Sequence, residues 1–210
     1  MEHQIHRQAS RAHHDRAMLD ALLDSQWFGV LSSVTDDGEP WAVPIGYARV
    51  ADQIVVHGSV KAGLLRAVAA GAPVVFTVAA MDAFVVGHSM MSSSVNYRSA
   101  TVRGNFVPVD GDEKARLLDA YTDFFLPGRS GEVRPHTAQE MAITSVLALA
   151  IEDGNWLYKA RDGQASEPDG PSDAWGGVVG LRTVADAPER APWSHGVQPA
   201  SVDGLVERFR

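Results

Sequence analysis

The chain has 210 residues, of which 45% are hydrophobic, so it is long enough to bury the core of one domain. Its 18 basic and 26 acidic side chains give a formal net charge of −8, which argues against a general binding surface for nucleic acids or anionic membranes. It contains no cysteine, which excludes disulfides and thiolate metal sites. No apolar run resembles a signal peptide or a transmembrane helix, and we therefore expect a cytoplasmic protein.

The first part of the chain predicts a helix followed by antiparallel strands. Residues 7–23 carry apolar side chains at helical spacing, which indicates an amphipathic opening helix. The run Asp-Asp-Gly-Glu-Pro at 36–40 is a strong turn signal between strand-like segments at 27–31 and 41–47, and it predicts a hairpin. A second turn at 51–52 leads into a strand that ends near His57.

The pattern of strands and short helices continues to residue 161. Apolar residues at 64–68 recur at helical spacing, and the apolar runs at 74–78 and 100–109 are typical of strands. A helix is predicted at 112–125, and Thr137 and Glu140 have the spacing of a capping box before a further short helix. The segments 146–151 and 156–161 have the pattern of a last pair of strands around a turn.

Six or seven strands joined by hairpins, with short helices between them, favour a mainly β fold, an antiparallel barrel with peripheral helices. We therefore expect residues 1–162 to form the main domain, with its N-terminal helix. Residues 163–210 are rich in Gly, Pro, Asp and Ser, and we expect a largely irregular C-terminal extension that packs on the barrel or on a partner subunit. Trp175 is a candidate anchor there, and a short helix is expected from Ser201.

Two segments about forty residues apart have the composition of a phosphate site. In the first, Ser59 is a candidate N-cap of the following helix, Gly58 allows close approach of the backbone, and Lys61 adds a positive charge. Each residue also has a simpler explanation. Ser59 is then only a cap, Lys61 faces solvent, and His57 is a buried or interface histidine.

The second segment contains Tyr97, Arg98 and Ser99 at the start of a strand. The guanidinium of Arg98 offers a planar fork of donors that suits phosphate oxygens, and the two hydroxyls complete a polar shell. Alternatively, Arg98 pairs with one of the many carboxylates. We expect the two segments to hold one phosphorylated ligand together, because loops and strand ends on a rigid sheet often carry binding residues.

The order of these motifs resembles that of the pyridoxamine 5'-phosphate oxidase-like family, whose members have an FMN-binding split β-barrel, and most closely its nitroimidazole-reductase-like branch. The residues that carry the resemblance are Phe28-Gly29-Val30-Leu31, Gly38-Glu39-Pro40, Val43-Pro44-Ile45-Gly46-Tyr47, His57-Gly58-Ser59, Ser94-Val95-Asn96-Tyr97-Arg98-Ser99, Glu113-Lys114, Pro127-Gly128-Arg129 and Lys159-Ala160-Arg161. They span roughly residues 16 to 180.

The resemblance implies a homodimer with FMN at the subunit interface. By analogy, the segment Pro44, Ile45, Gly46 and Tyr47 lies along the flavin ring through its backbone. His57, Gly58, Ser59 and Lys61 approach the phosphate, while Tyr97, Arg98 and Ser99 close the site. A strand that contains Pro44 also suits a sheet edge, where unpaired backbone groups are available to a ligand.

The chain departs from the family pattern in the loop before the second segment, and again at Gly180, where a proline is common. Many relatives have two histidines before the Asn-Tyr-Arg-Ser run, whereas this chain has Ser92 and Ser93, and Val95 replaces a methionine. His88 is the histidine available nearby.

These observations predict an FMN-dependent oxidoreductase that passes electrons from a reduced nicotinamide, through flavin N5, to a small oxidised acceptor. The sequence alone does not identify a catalytic residue. It contains no motif with the residue spacing of a metal site, a P-loop or a nucleophile elbow. One alternative is a carrier or sensor that binds flavin or haem without turnover, with His57 or His88 as candidate iron ligands. Another is a reductase that uses a deazaflavin.

Overall fold

The computed structural model describes residues 11–35 and 37–210, and the following elements belong to that part of the chain. The helices are α1 Arg16–Ser25, α2 Gly63–Ala69, α3 Gly111–Phe125, α4 Ala138–Ile143 and α5 Ala200–Arg208. The strands are β1 Ala12–His13, β2 Phe28–Val34, β3 Pro40–Gly46, β4 Ala48–Val50, β5 Gln53–Ser59, β6 Val74–Val86, β7 Ser94–Gly104, β8 Val107–Pro108, β9 Thr144–Ala150, β10 Trp156–Arg161 and β11 Gly177–Gly180.

The strands form two sheets in which every pairing is antiparallel. The larger sheet has the order β1-β10-β7-β6-β2-β3, with β11 added to β6, and the smaller has the order β4-β5-β9-β8. Within the described residues no hydrogen-bond ladder joins the two sheets, so the barrel is split rather than closed. The predicted mainly β fold with peripheral helices is confirmed.

Most of the predicted elements are present. The hairpin of β2 and β3 pairs Phe28 with Gly46, and the turn at 51–52 separates β4 from β5. The helices α2 and α3 lie where apolar spacing indicated them. The capping box is also formed, because Thr137 accepts from the backbone of Glu140 while the Glu140 carboxylate accepts from the backbone of Thr137.

Three predictions of local structure were wrong. The opening helix starts only at Arg16, after the short strand β1, and the residues before 11 lie outside the described part. The apolar run at 100–109 is not one strand, because β7 ends at Gly104 and β8 belongs to the other sheet. The strands β9 and β10 do not pair with each other, since β9 pairs with β5 and β8 while β10 pairs with β7 and β1.

The core lies between the sheets and is closed by α1. Leu19, Leu22 and Leu23 of this helix are fully buried and pack in one cluster with residues of both sheets, among them Phe76 and Ile54. Each such leucine stabilises the fold by roughly 1.5–3 kcal/mol through burial of its side chain. The helix therefore fixes the two sheets relative to each other.

The C-terminal segment returns to the barrel. It is largely irregular, as expected, apart from β11 and the predicted helix, which forms as α5. Trp175 is not its anchor, because the side chain is 67% exposed. The contact is made instead by Phe209, whose ring centroid lies 4.9 Å from that of Trp27, and by Arg208, whose guanidinium lies over the Trp27 ring. The division of the chain at residue 162 stays a prediction.

No helix in residues 11–35 and 37–210 is both long and apolar enough to cross a lipid bilayer.

Candidate functional site

β3, the last strand of the larger sheet, lies beside the turn between β5 and α2, and we call the region where they meet the groove. One side of β3 has no strand partner among the described residues, so Pro44 lies on an edge strand, as predicted. Trp41 of β3 packs on the start of α2, since a Cβ at Gly63 would lie 2.8 Å from the Trp41 ring. The edge backbone of β3 and the β5–α2 turn are thus neighbours within one subunit.

Tyr121 of α3 connects the two walls of this groove. Its ring makes an edge contact with the His57 ring at 4.4 Å between centroids, and its hydroxyl lies 2.6 Å from where a Cβ at Gly46 would be. Burial raises the pKa of Tyr121 to about 12, so the phenol stays protonated at neutral pH. The sequence analysis missed Tyr121, because helical spacing alone did not indicate which face of α3 meets the groove.

His57 is half-buried beside Tyr121. Burial lowers the pKa of His57, and the nearby His136 lowers it further. His136 itself lies 3.3 Å from a carboxylate oxygen of Asp119. His57 is therefore a neutral imidazole at neutral pH, a form that donates one hydrogen bond and accepts another.

The turn that follows β5 differs from its prediction. Ser59 does not cap α2, because the helix starts four residues later with Ala62 at the N-cap position. The Ser59 hydroxyl instead accepts from the backbone N–H of Lys61 at 3.2 Å. Gly58 is required for packing, since a Cβ there would lie 2.6 Å from the Leu65 side chain. Ser59 is therefore not the N-cap, but Ser59 and Lys61 remain exposed beside the groove, and their contact with a phosphate stays a prediction.

Tyr47 does not present its side chain to the groove. It is fully buried, and its hydroxyl donates to the carbonyl of Leu23 at 2.8 Å. Burial strongly raises the pKa of the Tyr47 hydroxyl. Its backbone N–H donates to the carbonyl of Trp27 at 3.1 Å, so the backbone groups on the free edge of β3 belong to the alternate residues, among them Pro44 and Gly46.

The second predicted segment is divided between the two faces of its strand. Tyr97 and Ser99 lie on the outer face of β7, where their cross-strand neighbours are Arg161 and Lys159. Arg98 points to the opposite face, because side chains alternate along a strand. There its guanidinium pairs with the Asp82 carboxylate through Nη2–Oδ1 at 2.8 Å and Nε–Oδ2 at 3.0 Å. The simpler explanation, pairing with a carboxylate, is the one observed.

The two predicted phosphate segments do not meet within one subunit. His57, Ser59 and Lys61 belong to the smaller sheet and its turn, whereas Arg98 faces the end of α1 and lies 3.4 Å from the Ser25 hydroxyl. Among the described residues no hydrogen bond, ion pair or aromatic contact joins the segments. Their meeting across two subunits stays a prediction.

The loop between β6 and β7 uses its serines internally. Ser92 accepts from the backbone of Ser89, and Ser93 accepts from the backbone of Gly87. His88 lies with Nδ1 3.4 Å from the carbonyl of Ser166. Because a carbonyl only accepts, this contact is a hydrogen bond in the tautomer that has its proton on Nδ1.

The comparison with known families identifies this fold. The sequence profile described as pyridoxamine 5'-phosphate oxidase matches residues 15–155. The chain belongs to this family. No protein with a curated description matches the sequence significantly.

Solved structures extend the likeness beyond the family profile. The FAD and haem binding protein from Mycobacterium smegmatis is 42% identical, with a TM-score of 0.88 over 93% of this chain and 97% of its own. The flavocytochrome Anf3 from Azotobacter vinelandii is 25% identical, with a TM-score of 0.86 over 98% of this chain and 95% of its own. Both alignments therefore include most of the C-terminal segment.

A third structure has the fold in common with this chain. It is the putative 5-nitroimidazole antibiotic resistance protein from Bacteroides thetaiotaomicron, 15% identical, with a TM-score of 0.61 over 71% of this chain and 86% of its own.

Proposed function

We propose that this protein is a flavin-binding oxidoreductase. The observation that carries the proposal is its 42% identity, over 93% of the chain, to a protein described as binding FAD and haem. The chemistry of the groove agrees, since an edge strand, the hydroxyls of Ser59 and Tyr121 and the charge of Lys61 are groups that suit a flavin nucleotide.

Residues of the groove suit the two ends of a flavin. On the free edge of β3, the carbonyl of Pro44 and the backbone N–H and carbonyl of Gly46 are available to the polar edge of the ring, since the backbone of the alternate residue Ile45 faces β2. Ser59 and Lys61, exposed at the neighbouring turn, suit a phosphate. Tyr121 closes the inner end of the groove and keeps water from it.

A second subunit completes the site in this proposal. The outer face of the larger sheet carries exposed apolar side chains, among them Phe28 at 64% and Phe84 at 48% exposure. On the same face lie Tyr97 and Ser99. Burying this face in a homodimer removes apolar surface from water and brings those hydroxyls, with Lys159 and Arg161, to the partner's groove. Light scattering of the purified protein should then give twice the 22.5 kDa chain mass, and a monomer would contradict the dimer.

The reaction expected is electron transfer from a reduced nicotinamide to a small oxidised acceptor, with the bound flavin supplying the hydride chemistry. The protein's part is to orient the ring and exclude water. Tyr121 stays protonated and His57 neutral at neutral pH, so both are able to donate a hydrogen bond in the groove.

Haem is a second expected ligand, because two relatives at 25% identity or more are described as a flavocytochrome and as a haem-binding protein. His88 is the preferred iron ligand. Its Nδ1 is held by the Ser166 carbonyl, which leaves Nε2 for the metal, and this arrangement is typical of ligating histidines. The adjacent Met90 and Met91 are almost fully exposed and offer an apolar surface to a porphyrin.

The absorption spectrum of the freshly purified protein tests the flavin proposal. A yellow chromophore that NADH or NADPH bleaches is expected, and chromatography of the extracted cofactor separates FMN, the cofactor expected from the sequence, from FAD and from a deazaflavin. A colourless protein that binds none of these would overturn the proposal.

Haem reconstitution tests the second ligand. His88→Ala should remove the intense Soret band of the reconstituted protein, whereas the matched control His195→Ala, an exposed histidine of the C-terminal segment, should retain it. If His57→Ala loses the Soret band while His88→Ala keeps it, the iron ligand is His57 in the groove and not His88.

A further inference from the structure

A gap in the larger sheet lies on one edge of β6. On this edge β2 pairs with residues 75–77, and β11 pairs with residues 83–86. Between them, residues 78–81 have no strand partner on that side within the described chain, while the Asp82 carbonyl accepts from the backbone of Leu181 at 2.8 Å. Backbone groups of a strand that are not paired with another strand are available to a ligand.

A cavity of about 540 Å³ occupies this gap. Its lining residues come from the end of α1, from β6 and β7, and from the C-terminal segment: Ser25, Gln26, Trp27, Ala79, Ala80, Met81, Asp82, Arg98, Leu181, Arg182, Thr183 and Phe209. The volume is within the range of small-molecule sites, and half of the lining residues carry polar side chains.

The lining carries a net positive charge, from two arginines against one aspartate. Asp82 is the extra residue of a β-bulge, and the bulge places its carboxylate on Arg98. Arg182 is exposed at the mouth and makes no ion pair with any described residue. One cation of the cavity is therefore neutralised internally, while the other is available.

The negative end of the α1 dipole does not oppose an anion here, because side chains satisfy the last carbonyls. The carbonyl of Leu22 accepts from the Ser25 hydroxyl, and that of Leu23 accepts from the Tyr47 hydroxyl. The carbonyls of Asp24 and Ser25 accept from the side chains of Arg208 and Gln26 in the same order.

We propose that this cavity binds a small polar anion that carries a carboxylate or phosphate group. Arg182 supplies the charge that holds the anion, and the Arg98–Asp82 pair forms a fixed polar floor. The C-terminal segment contributes both Arg182 and Phe209, so its docking on Trp27 assembles the site. The site is separate from the proposed flavin groove.

Calorimetric titration of the purified full-length protein with inorganic phosphate and with succinate, at constant ionic strength, tests this site. At least one probe should bind, and the tighter one identifies the acid group. Arg182→Gln should weaken it by about tenfold or more, because it removes a charge-assisted contact. The control Arg190→Gln, with the same charge change in the same segment, should stay within about twofold.

Three results would overturn the inference. They are no binding of either probe, equal weakening by both variants, and loss of binding when the protein is saturated with flavin. The last result would make the cavity part of the flavin site. Flavin absorbance is recorded in parallel. A colourless protein that still binds the anion would contradict the flavin proposal but support the anion site, so the two proposals are tested independently.

Discussion

At the scale of single residues, two glycines of the groove are required by the side chains that pack against them. Any Cβ at Gly46 would lie 2.6 Å from the Tyr121 hydroxyl, and one at Gly58 would lie 2.6 Å from Leu65. A Cβ atom does not approach another non-bonded heavy atom so closely, so the neighbours must shift. These glycines therefore bring α2 and α3 against the strands and shape the groove.

We expect Gly46→Ala to lower the free energy of unfolding by about 1–3 kcal/mol, because the new methyl group overpacks against Tyr121. Urea denaturation measures the change. Adding Tyr121→Phe should restore part of the loss, since the hydroxyl oxygen is the atom in the way.

The control is Gly180→Ala, where no atom lies within 4 Å of the added Cβ and the change should stay within about 0.5 kcal/mol. Equal destabilisation by Gly46→Ala with and without the tyrosine hydroxyl would contradict the steric explanation.

The sequence indicated which residue types were candidates but not where their side chains point. Pro44 was correctly placed on an edge strand because proline lacks the N–H that an inner strand needs. The prediction grouped Tyr97, Arg98 and Ser99 as one set of ligands, and the alternation of strand side chains separates Arg98 from the other two. The pairing of Arg98 with Asp82 depends on a β-bulge, and no local sequence pattern predicts that bulge.

At the scale of elements, the last turn of α1 depends on residues far away in the chain. Arg208 of α5 donates to the carbonyl of Asp24 at 2.7 Å and stacks 4.7 Å over the Trp27 ring. The N-terminal end of α5 is held separately, because the Glu132 carboxylate accepts from the backbone and the hydroxyl of Ser201. The C-terminal helix is thus fastened at both ends.

Arg208→Ala should lower the free energy of unfolding by about 1 kcal/mol, through loss of a charge-assisted hydrogen bond and a cation–π contact at a solvent-exposed position. Limited proteolysis should also cleave the C-terminal segment faster, because its docking on α1 is weakened. Arg190→Ala serves as control and should leave both measurements unchanged. An unaltered cleavage rate in Arg208→Ala would show that the other contacts of α5 are sufficient.

Elements that depend on neighbouring residues were predictable, and those that depend on distant pairing were not. The β2–β3 hairpin, α3 and the capping box of α4 follow from turn residues and helical spacing. The turn at 152–155 looks like a hairpin turn, yet its flanking strands join different sheets. Which sheet a strand joins is decided by core packing across the whole barrel rather than by the turn.

At the scale of the whole molecule, the groove lies between the two sheets, and α3 closes it. His57 comes from the smaller sheet, Gly46 from the larger one, and Tyr121 from the helix that contacts both. A change in the charge of His57 therefore acts at the junction of the sheets. The charged and titratable groups around it are Tyr121, His136 and the Asp119 carboxylate beside His136.

The pH dependence of stability follows from His57. Because burial, and then the proximity of His136, lower its pKa in the folded state, the unfolded chain takes up a proton more readily than the folded protein just below pH 6.5. Unfolding is then favoured as the pH falls through that window, whereas above it His57 has no effect on stability. Urea denaturation at about pH 7.5 and about pH 5.5 should show lower stability at the acidic value, and His57→Gln should reduce this difference.

The matched control is His195→Gln, which replaces an exposed histidine and should keep the full difference. Three carboxylates accept hydrogen bonds in the fold and therefore have lowered pKa values: Asp123, Glu132 and Glu140. Their contribution to the free energy of unfolding is lost only at more acidic pH. They therefore do not interfere within the chosen window. If His57→Gln and His195→Gln lose the same stability on acidification, the pH response does not come from His57 at the junction of the sheets.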